Sequence, residues 1–274
     1  MAKVLVLGKN GMLGSMTYSY LADKHKVIGS DRYDFDALRY TAEVLSGKVG
    51  TNVEWLNKNK DCDFVINCIG KIKPDITNPS SEICGIIINS IFPRLLANTC
   101  RNWCRVIHVT TDCVVSPKNQ TTIFEDSLHT AEDVYGKSKS LGESDNAIVV
   151  RTSIIGPEKN KKKSLLEWFL SQEEVNGFTN HWWNGVTTLE LAKCFDYIIQ
   201  TSPNDGLYHV HSNTVNKYEL LSLFRDVFKP SVKVNEAESE YECFRVLGAK
   251  SPIFQTKPIK EQLEELREYC KSAI

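Results

Sequence analysis

The sequence has no excess of charge of one sign, because 33 Lys and Arg residues stand against 34 Asp and Glu residues. This balance argues against a basic surface for nucleic acid or for an anionic membrane. The chain also lacks an uninterrupted run of about eighteen apolar residues, and "MAKVLVLG" is too short in apolar length for a signal peptide. We therefore expect a soluble, cytoplasmic protein that binds a small molecule.

Paired cysteines with metal-binding spacing are missing as well. The nine cysteines are odd in number, lie mostly in apolar stretches such as "VINCIG", and form no CxxC motif. Cys100 and Cys104 share a helical face, but two thiols make a poor zinc site. The pattern favours reduced, buried thiols over a disulfide framework, and it predicts no metal.

What the sequence does contain is a regular alternation of strands and helices. Apolar runs of about five residues, such as "KVLVLG", "DFVINCIG" and "RVIHVTTD", are separated by segments of helical length. Such alternation predicts an α/β fold with a doubly wound parallel sheet, a Rossmann domain. We assign residues 1–152 and about 185–203 to this domain. Residues of about 153–184 and 204–274 are assigned to a smaller, mostly helical lobe, in which "NGFTNHWWNGVT" is interpreted as a loop.

A glycine-rich segment follows the first predicted strand directly. Its GxxGxxG spacing predicts a turn at Gly8, close approach of a pyrophosphate at Gly11, and tight packing of a helix on the strand at Gly14. The helix N-terminus then offers free N–H groups to phosphates. The predicted dinucleotide-binding segment consists of Gly8, Lys9, Asn10, Gly11, Met12, Leu13 and Gly14.

The end of the second strand bears on the choice of dinucleotide. Asp31 lies where a carboxylate binds a ribose 2′-hydroxyl, which favours NADH. Arg32 follows at once and Lys9 lies within the glycine loop, so two cations are placed to flank a 2′-phosphate. We expect NADPH, with NADH as the alternative. The alternative interpretation of Lys9 and Arg32 is that both are ordinary surface charges.

The stretch "DVYGKSKSLGE" places Tyr135 one helical turn before Lys139. Residues four apart share a helix face, so this spacing predicts an amine close to the phenol. A neighbouring cation favours loss of the phenolic proton, as general acid catalysis requires. The motif alone is weak, because many helices contain it by chance.

Together with "NCIG" at 67–70 and "VTTD" at 109–112, these motifs resemble those of the extended short-chain dehydrogenase/reductases. "HVTTDCVV", "EDVYGKSKSLGE" and "VVRTSIIG" look like the dTDP-4-dehydrorhamnose reductase branch, and the similarity covers most of the chain. The resemblance implies that Tyr135 is the catalytic acid, that Lys139 lowers its pKa and holds the nicotinamide ribose, and that Thr111 orients the substrate carbonyl. It further implies that Asn67, Cys68 and Gly70 line the cofactor site and that the smaller lobe binds a nucleotide sugar.

The resemblance also suggests residues on the sugar side. The candidates for substrate binding are Lys71, Asn89, Arg151, Trp183 and Asn184. A structural ion pair is the alternative for Arg151. The Trp182–Trp183 pair could stack on a base or sugar if exposed, but core packing of at least one of the two is the favoured prediction. His108 and His181 are assigned no chemistry.

One position departs from the simple rhamnose reductases, which usually have a tyrosine where this chain has Cys113. A cysteine there resembles the GDP-fucose synthases and the plant UDP-4-keto-6-deoxyglucose 3,5-epimerase/4-reductases. In those enzymes it acts as an acid/base group together with a His or Lys, and Lys163 stands at the matching position. A thiol of near-neutral pKa would abstract a proton next to the C4 ketone while Lys163 delivers one across the ring. The alternative is that Cys113 is one cysteine among nine and "KKK" a solvated turn.

Three functions remain open. The first is a bifunctional enzyme that epimerises C3 and C5 and reduces C4 of a UDP-linked 4-keto-6-deoxyglucose, yielding UDP-L-rhamnose. The second is a monofunctional reductase of dTDP- or UDP-4-dehydrorhamnose. The third is a non-catalytic NADP-binding regulatory subunit, similar to that of methionine adenosyltransferase. Related enzymes are often dimers, so we expect a homodimer.

Overall fold

The structure is a computed structural model that describes residues 1–119, 121–158 and 162–272. Strands in these ranges are β1 (Lys3–Leu7), β2 (Lys26–Ser30), β3 (Phe64–Asn67), β4 (Arg105–Thr111), β5 (Ile148–Thr152), β6 (Ile154–Ile155), β7 (Glu174–Phe178), β8 (His181–Trp183), β9 (Val186–Thr187), β10 (Gly206–His209), β11 (Val215–Asn216), β12 (Lys233–Ala237) and β13 (Cys243–Arg245). Helices are α1 (Met12–Ala22), α2 (Ala37–Leu45), α3 (Thr51–Lys58), α4 (Pro79–Ile86), α5 (Phe92–Cys100), α6 (Val134–Gly142), α7 (Leu165–Leu170), α8 (Thr188–Thr201), α9 (Lys217–Phe228) and α10 (Ile259–Ser272).

The large sheet confirms the predicted doubly wound architecture. Its six strands run in the order β10-β5-β4-β3-β1-β2, and every neighbouring pair is parallel. Successive side chains of β1 point to opposite faces, so Val4 and Val6 join one buried cluster while Leu5 and Leu7 join another. Both faces are therefore covered by helices, as a parallel sheet requires.

The two faces carry different helices. α1 and α8 pack on the face that contains Val4 and Val6, and α2, α3 and α5 pack on the other. α4 and α5 form one long helix, interrupted by a π-helical turn at Ile87–Ile91. Within the described residues, only this helix, Pro79–Cys100, is long and apolar enough to cross a membrane. Its α5 part is a core helix here, because Phe92, Leu96 and Cys100 are fully buried.

The smaller lobe contains more strand than the sequence predicts. α7, α9 and α10 build its core around Phe169 and Phe224. Three small sheets accompany them, in the orders β11-β8-β13, β12-β7 and β6-β9. The segment "NGFTNHWWNGVT", predicted to be a loop, thus contains the end of β7 and all of β8 and β9. Strands of two to five residues are too short to display an alternating pattern, which explains the error.

β10 marks a second difference. It is the edge strand of the large sheet, where it pairs with β5, although the sequence division placed residues 204–274 in the lobe. The chain order of the sheet reverses between β1 and β3, because β2 lies beyond β1 while β3, β4 and β5 extend the other way. Ligands of such sheets bind in the crevice outside the carboxyl ends of the strands at this point.

Candidate functional site

Two connected pockets occupy this crevice. The first, here called the glycine-loop pocket, has a volume of about 390 Å³ and is lined by residues such as Gly8, Asp31 and Arg32. The second, here called the tyrosine cavity, has about 580 Å³ and is lined by residues such as Thr111, Tyr135 and Lys139. Both are lined by Asn10, Gly11, Cys68, Ile69, Gly70, Lys71 and Asp75. The crevice is therefore continuous from the glycine loop to the tyrosine.

The glycine loop has the geometry that its spacing predicts. Gly8 has a φ of +84°, a left-handed conformation that side chains disfavour. A Cβ at Gly14 would lie 2.1 Å from the Gly8 carbonyl oxygen, so only glycine lets α1 approach the strand this closely. A Cβ at Gly11, by contrast, would meet no atom nearer than 3.5 Å. The space beside Gly11 opens to both pockets, as a closely approaching ligand needs.

The N-terminus of α1 fits a phosphate. No side chain caps this helix, and Met12 and Leu13 of its first turn line the tyrosine cavity. Uncapped N–H groups at a helix start carry partial positive charge and are suited to bind a pyrophosphate. The residues present thus fit the dinucleotide that the motif predicts.

The charges near Asp31 are partly engaged with one another. The Asp31 carboxylate accepts hydrogen bonds from the backbone of Tyr33 at 2.8 Å and of Asp34 at 3.3 Å, and these bonds lower its pKa. Lys9 lies 3.8 Å from Asp31, and the exposed Arg32 side chain donates to Asp36 at 2.9 Å. Arg32 lines the glycine-loop pocket, whereas the Lys9 side chain packs over Gly29. Of the two predicted cations, Arg32 is the one placed on the pocket wall.

The end of β3 forms the pocket floor. The Asn67 side chain accepts from the Ile69 backbone at 3.0 Å and contacts His108 Nδ1 at 3.1 Å, so it fixes the turn that carries Cys68 and Gly70. Burial is the main cause that holds the pKa of His108 well below its usual range. This neutral histidine supports Asn67.

Tyr135, Thr111, Asp112 and Cys113 form one cluster in the tyrosine cavity. The Thr111 hydroxyl donates to Asp112 Oδ1 at 3.1 Å and accepts from the Cys113 backbone at 3.2 Å, and it lies close enough to the Tyr135 phenol to act to lower its pKa. Strand β4 ends at Thr111, and Asp112–Val114 form a 3-10 turn directly after it. α6 begins behind Asp133, whose side chain caps the Gly136 N–H at 2.8 Å and so sets the position of Tyr135.

Lys139 lies deeper in the same cavity. Its amine donates to the Val109 carbonyl at 3.2 Å and faces Gly70, where an added Cβ would lie 3.1 Å away. Burial lowers its pKa to about 8, against the opposing effects of Glu143 and Cys68. Tyr135 and Lys139 thus line one cavity, as their spacing predicts.

Two electrostatic expectations are wrong in this structure. Burial, with Cys113 as the next cause, raises the pKa of Tyr135. Lys139, whose amine bonds to Val109, is not among the main influences on that pKa. Burial and the neighbouring Asp112 raise the pKa of Cys113 to about 12, far from the near-neutral value expected. Both groups are therefore protonated at neutral pH.

Lys71, Asn89 and Lys163 have distinct positions. Lys71 lines both pockets, and its backbone is held in both directions by the fully buried Asn89 amide, with two bonds of 2.9 Å. Asn89 lies in the π-helical turn and supports Lys71 without lining a pocket itself. Lys163 lines the tyrosine cavity and forms an ion pair of 2.7 Å with Asp75.

Like Asn89, three further predicted substrate-binding residues do not line either pocket. Arg151 is fully buried and makes a two-pronged ion pair with Glu143, at 3.1 and 2.6 Å, so the structural alternative describes it. The Asn184 amide pairs with the Leu247 backbone at 2.7 and 2.9 Å. The Trp183 indole donates to Ser153 Oγ at 2.8 Å and packs against the lobe core, so it contributes to packing there.

Other residues near the cavity went unpredicted. Arg245 of β13 donates to the carbonyls of Asp112 and Val115 that flank Cys113. The cavity wall also contains Thr152, Ser153, Ile154, Glu158 and Ser164. The strand-to-loop transition after "VVRTSIIG" is the one sequence signal for this second set, since residues that follow parallel strands face the crevice. Within the described residues, no three His, Cys, Asp or Glu side chains are grouped to hold a metal ion.

Comparisons with known proteins agree with this fold. The dTDP-4-dehydrorhamnose reductase of Clostridium acetobutylicum aligns with a TM-score of 0.80 and 22% identity, over 98% of this chain and 99% of that one. The dTDP-4-dehydrorhamnose reductase of Bacillus anthracis, solved in complex with NADP, aligns with a TM-score of 0.79 and 18% identity over the same shares. A UDP-N-acetylglucosamine 4-epimerase of Methanobrevibacter ruminantium gives 0.73 and 17%, over 100% of this chain and 99% of that one.

The TM-scores show that this chain shares the fold of these proteins. No curated protein sequence matches the chain. The model of the RmlD substrate binding domain family matches residues 2–245, which is most of the chain. The chain therefore belongs to the RmlD substrate binding domain family.

Proposed function

We propose that this protein is an NADPH-dependent reductase of a nucleotide-linked 4-keto-6-deoxyhexose, of the dTDP-4-dehydrorhamnose type. The observation that carries the proposal is that Tyr135, Thr111 and Lys139 line one cavity continuous with the glycine loop. Membership of the RmlD family and the names of the two similar reductases support the same substrate class.

NADPH, when bound, supplies the hydride that reduces the sugar ketone. The glycine loop and the start of α1 would hold its pyrophosphate, and Asp31 and Arg32 would flank the adenosine ribose. The NADP complex of the Bacillus anthracis reductase supports NADPH, with NADH as the alternative.

The residues of this chain perform the proton chemistry. Tyr135 donates its proton to the C4 ketone oxygen, since its raised pKa keeps the phenol protonated at neutral pH. The neighbouring Thr111 hydroxyl acts to lower the Tyr135 pKa and so favours the phenolate that Tyr135 leaves behind. The Lys139 ammonium adds positive charge near the developing oxyanion, in a buried site where charges interact strongly.

The direct test is turnover. Purified protein is mixed with NADPH and either dTDP- or UDP-4-dehydrorhamnose, and the absorbance of NADPH is followed at 340 nm. We expect oxidation of NADPH with at least one of the two sugars, and comparing them defines the nucleotide. If neither sugar is reduced and NADPH still binds tightly, the regulatory-subunit alternative replaces the reductase.

A second candidate activity is 3,5-epimerisation of the same sugar. It is favoured by one observation, namely that Cys113 and Lys163 both line the tyrosine cavity. Against it, the raised pKa of Cys113 leaves little thiolate to act as a base at neutral pH. The test is to incubate the protein with the unepimerised UDP-4-keto sugar in deuterated water without NADPH. Deuterium at C3 and C5 supports epimerisation, and Cys113→Ala should then abolish the exchange.

We also propose a homodimer. Ile83 and Ile86 of α4 and Leu141 of α6 are exposed by 59, 42 and 60%, and the two helices pack beside each other. A second copy of the chain would cover these apolar side chains. Light scattering of the wild type and of an Ile83→Glu variant tests this proposal, which predicts a dimer for the first and a monomer for the second.

A further inference from the structure

Arg245 reaches from the smaller lobe to the turn that carries Cys113. It is the last residue of β13, which pairs with β8 in the lobe. Its guanidinium donates to the Asp112 carbonyl at 3.3 Å and to the Val115 carbonyl at 3.1 Å. These two carbonyls bracket the 3-10 turn Asp112–Val114, so one side chain contacts both ends of it.

The same turn is anchored on its other side by the sheet domain. Thr111, at the end of β4, accepts from the Cys113 backbone and donates to Asp112. The backbone N–H groups of Thr130 and Ala131 donate to the Val114 carbonyl at 3.0 and 3.1 Å. Arg245 is thus the lobe's contribution to a turn whose position determines where Thr111 and Cys113 face the cavity.

Arg245 also supplies charge where the cluster lacks it. The Asp112 carboxyl is only 2% exposed, and burial raises its pKa while Arg245 acts to lower it. Cys113 faces Asp112, Arg245 and Tyr135, and Arg245 favours its thiolate while Asp112 opposes it. The groups whose charges favour the protonated form of Arg245 are Cys113, Asp112, Cys243 and Asp133. A buried carboxylate without a nearby cation is costly, so Arg245, whose guanidinium lies 3.3 Å from the Asp112 carbonyl, reduces the cost of a charge on Asp112.

We propose that Arg245 is a positioning residue for the proposed reaction: from the lobe, it fixes the turn Asp112–Val114 and offsets the Asp112 charge beside Cys113 and Tyr135. This inference rests on the proposed function for its effect on turnover. Its effect on Cys113 is independent of any turnover, so the two are testable separately.

The first measurement is the rate at which iodoacetamide labels Cys113, followed by peptide mass spectrometry between pH 8 and 10. Cys84, which lines the glycine-loop pocket, is the internal reference for access to the crevice. Loss of the cation in Arg245→Met should slow Cys113 labelling about tenfold relative to Cys84, the effect of about one pKa unit. Arg245→Lys keeps the charge and should stay within about threefold of the wild type. Arg225→Met, which removes an exposed arginine on α9 paired with Asp226, controls for net charge.

The second measurement is steady-state turnover. Both carbonyls accept from the single Nη1 atom of Arg245. The lysine side chain is one bond shorter and should not bring its amine to that point, so Arg245→Lys should lower kcat several-fold, and Arg245→Met about tenfold. KM for NADPH should stay within about twofold, because Arg245 does not line the glycine-loop pocket. If Arg245→Met does not fold, Arg245→Lys alone still predicts a lowered kcat with near-normal labelling.

The outcomes separate the two proposals. The charge role is overturned if Arg245→Met labels Cys113 at the wild-type rate, or if Arg245→Lys labels it as slowly as Arg245→Met does. The positioning role is overturned if Arg245→Lys has the wild-type kcat. A wild type that reduces no 4-keto sugar overturns the proposed function, while the labelling arm still decides what Arg245 does to Cys113.

Discussion

The two pockets differ in how they are built. The glycine-loop pocket is lined by short segments within the first 88 residues, among them the glycine loop and the turn after Asn67. The tyrosine cavity collects side chains from segments far apart in the chain, among them Thr111, Tyr135 and Ser164. Ligand contacts made by the backbone require particular residue types at fixed spacings, whereas contacts made by side chains depend on how distant segments pack.

This difference separates a general function from a specific one. Gly14 and the left-handed Gly8 are required by the backbone itself, so almost any dinucleotide-binding domain of this type needs them. In the proposed function, the lobe side of the cavity recognises the sugar through side chains rather than through a fixed backbone pattern. The predictions below test the boundary between these two regions.

The largest effect is expected for Tyr135→Phe, which removes the proton donor and keeps the ring. Turnover should fall by about 10²–10⁴, the usual contribution of a general acid. Binding of NADPH, measured by fluorescence titration, should change little, because the glycine-loop pocket does not contain Tyr135. A variant that retains more than a tenth of the wild-type kcat would remove Tyr135 from the mechanism.

Arg151→Met should produce the next largest effect, which is a loss of stability. Removal of the arginine leaves the Glu143 carboxylate nearly buried without its partner, so the free energy of unfolding should fall by about 3–5 kcal/mol. The double variant Arg151→Met with Glu143→Leu should recover much of that loss. Urea denaturation of the three proteins gives the comparison.

If Arg151 instead binds the substrate, the same variant should give the opposite result. That result is a raised KM for the sugar at nearly normal stability. A stable Arg151→Met protein with a KM raised tenfold would therefore restore Arg151 to the sugar site and show that the ion pair with Glu143 is dispensable.

The sequence predicts the parts of the site that depend on local spacing. The glycine loop and the parallel sheet follow from periodicity and motif, whereas the joint placement of Thr111 with Tyr135 and Lys139 is what the family resemblance implies. Asn89, Arg151, Trp183 and Asn184 do not line a pocket, and the structural alternatives describe Arg151 and Trp183. A motif gives the position of a residue on a strand but not the partner that its side chain finds. Arg245 was missed for the same reason, since it lies about 130 residues from the turn that it contacts.

Lys139→Met should abolish most turnover and yet stabilise the protein. Below pH 8 the wild-type lysine is charged in both the folded and unfolded states, and its burial destabilises the folded state by roughly 3 kcal/mol. Removing the amine therefore should raise the free energy of unfolding at pH 6–7. As the pH rises from about 8 to 10.5, the folded-state lysine becomes neutral first, so the advantage of the variant should shrink.

Thermal melts of the wild type and of Lys139→Met across this pH range test whether the substitution stabilises the protein. A Lys139→Met protein that is less stable than the wild type at pH 7 would mean that the bond to Val109 outweighs the cost of the buried charge. In turnover, the wild type should lose activity above about pH 8 if the ammonium form is the one required.

Trp183→Phe should have the smallest effect and marks the boundary of the sugar site. The change removes the indole bond to Ser153 and leaves most of the ring packing, so we expect a loss of about 1 kcal/mol in stability. KM for the sugar should stay within about twofold, because Ser153 lines the cavity and Trp183 does not. A much larger rise in KM at unchanged stability would show that the bound sugar reaches past Ser153, and the cavity would then extend further into the lobe than its lining residues indicate.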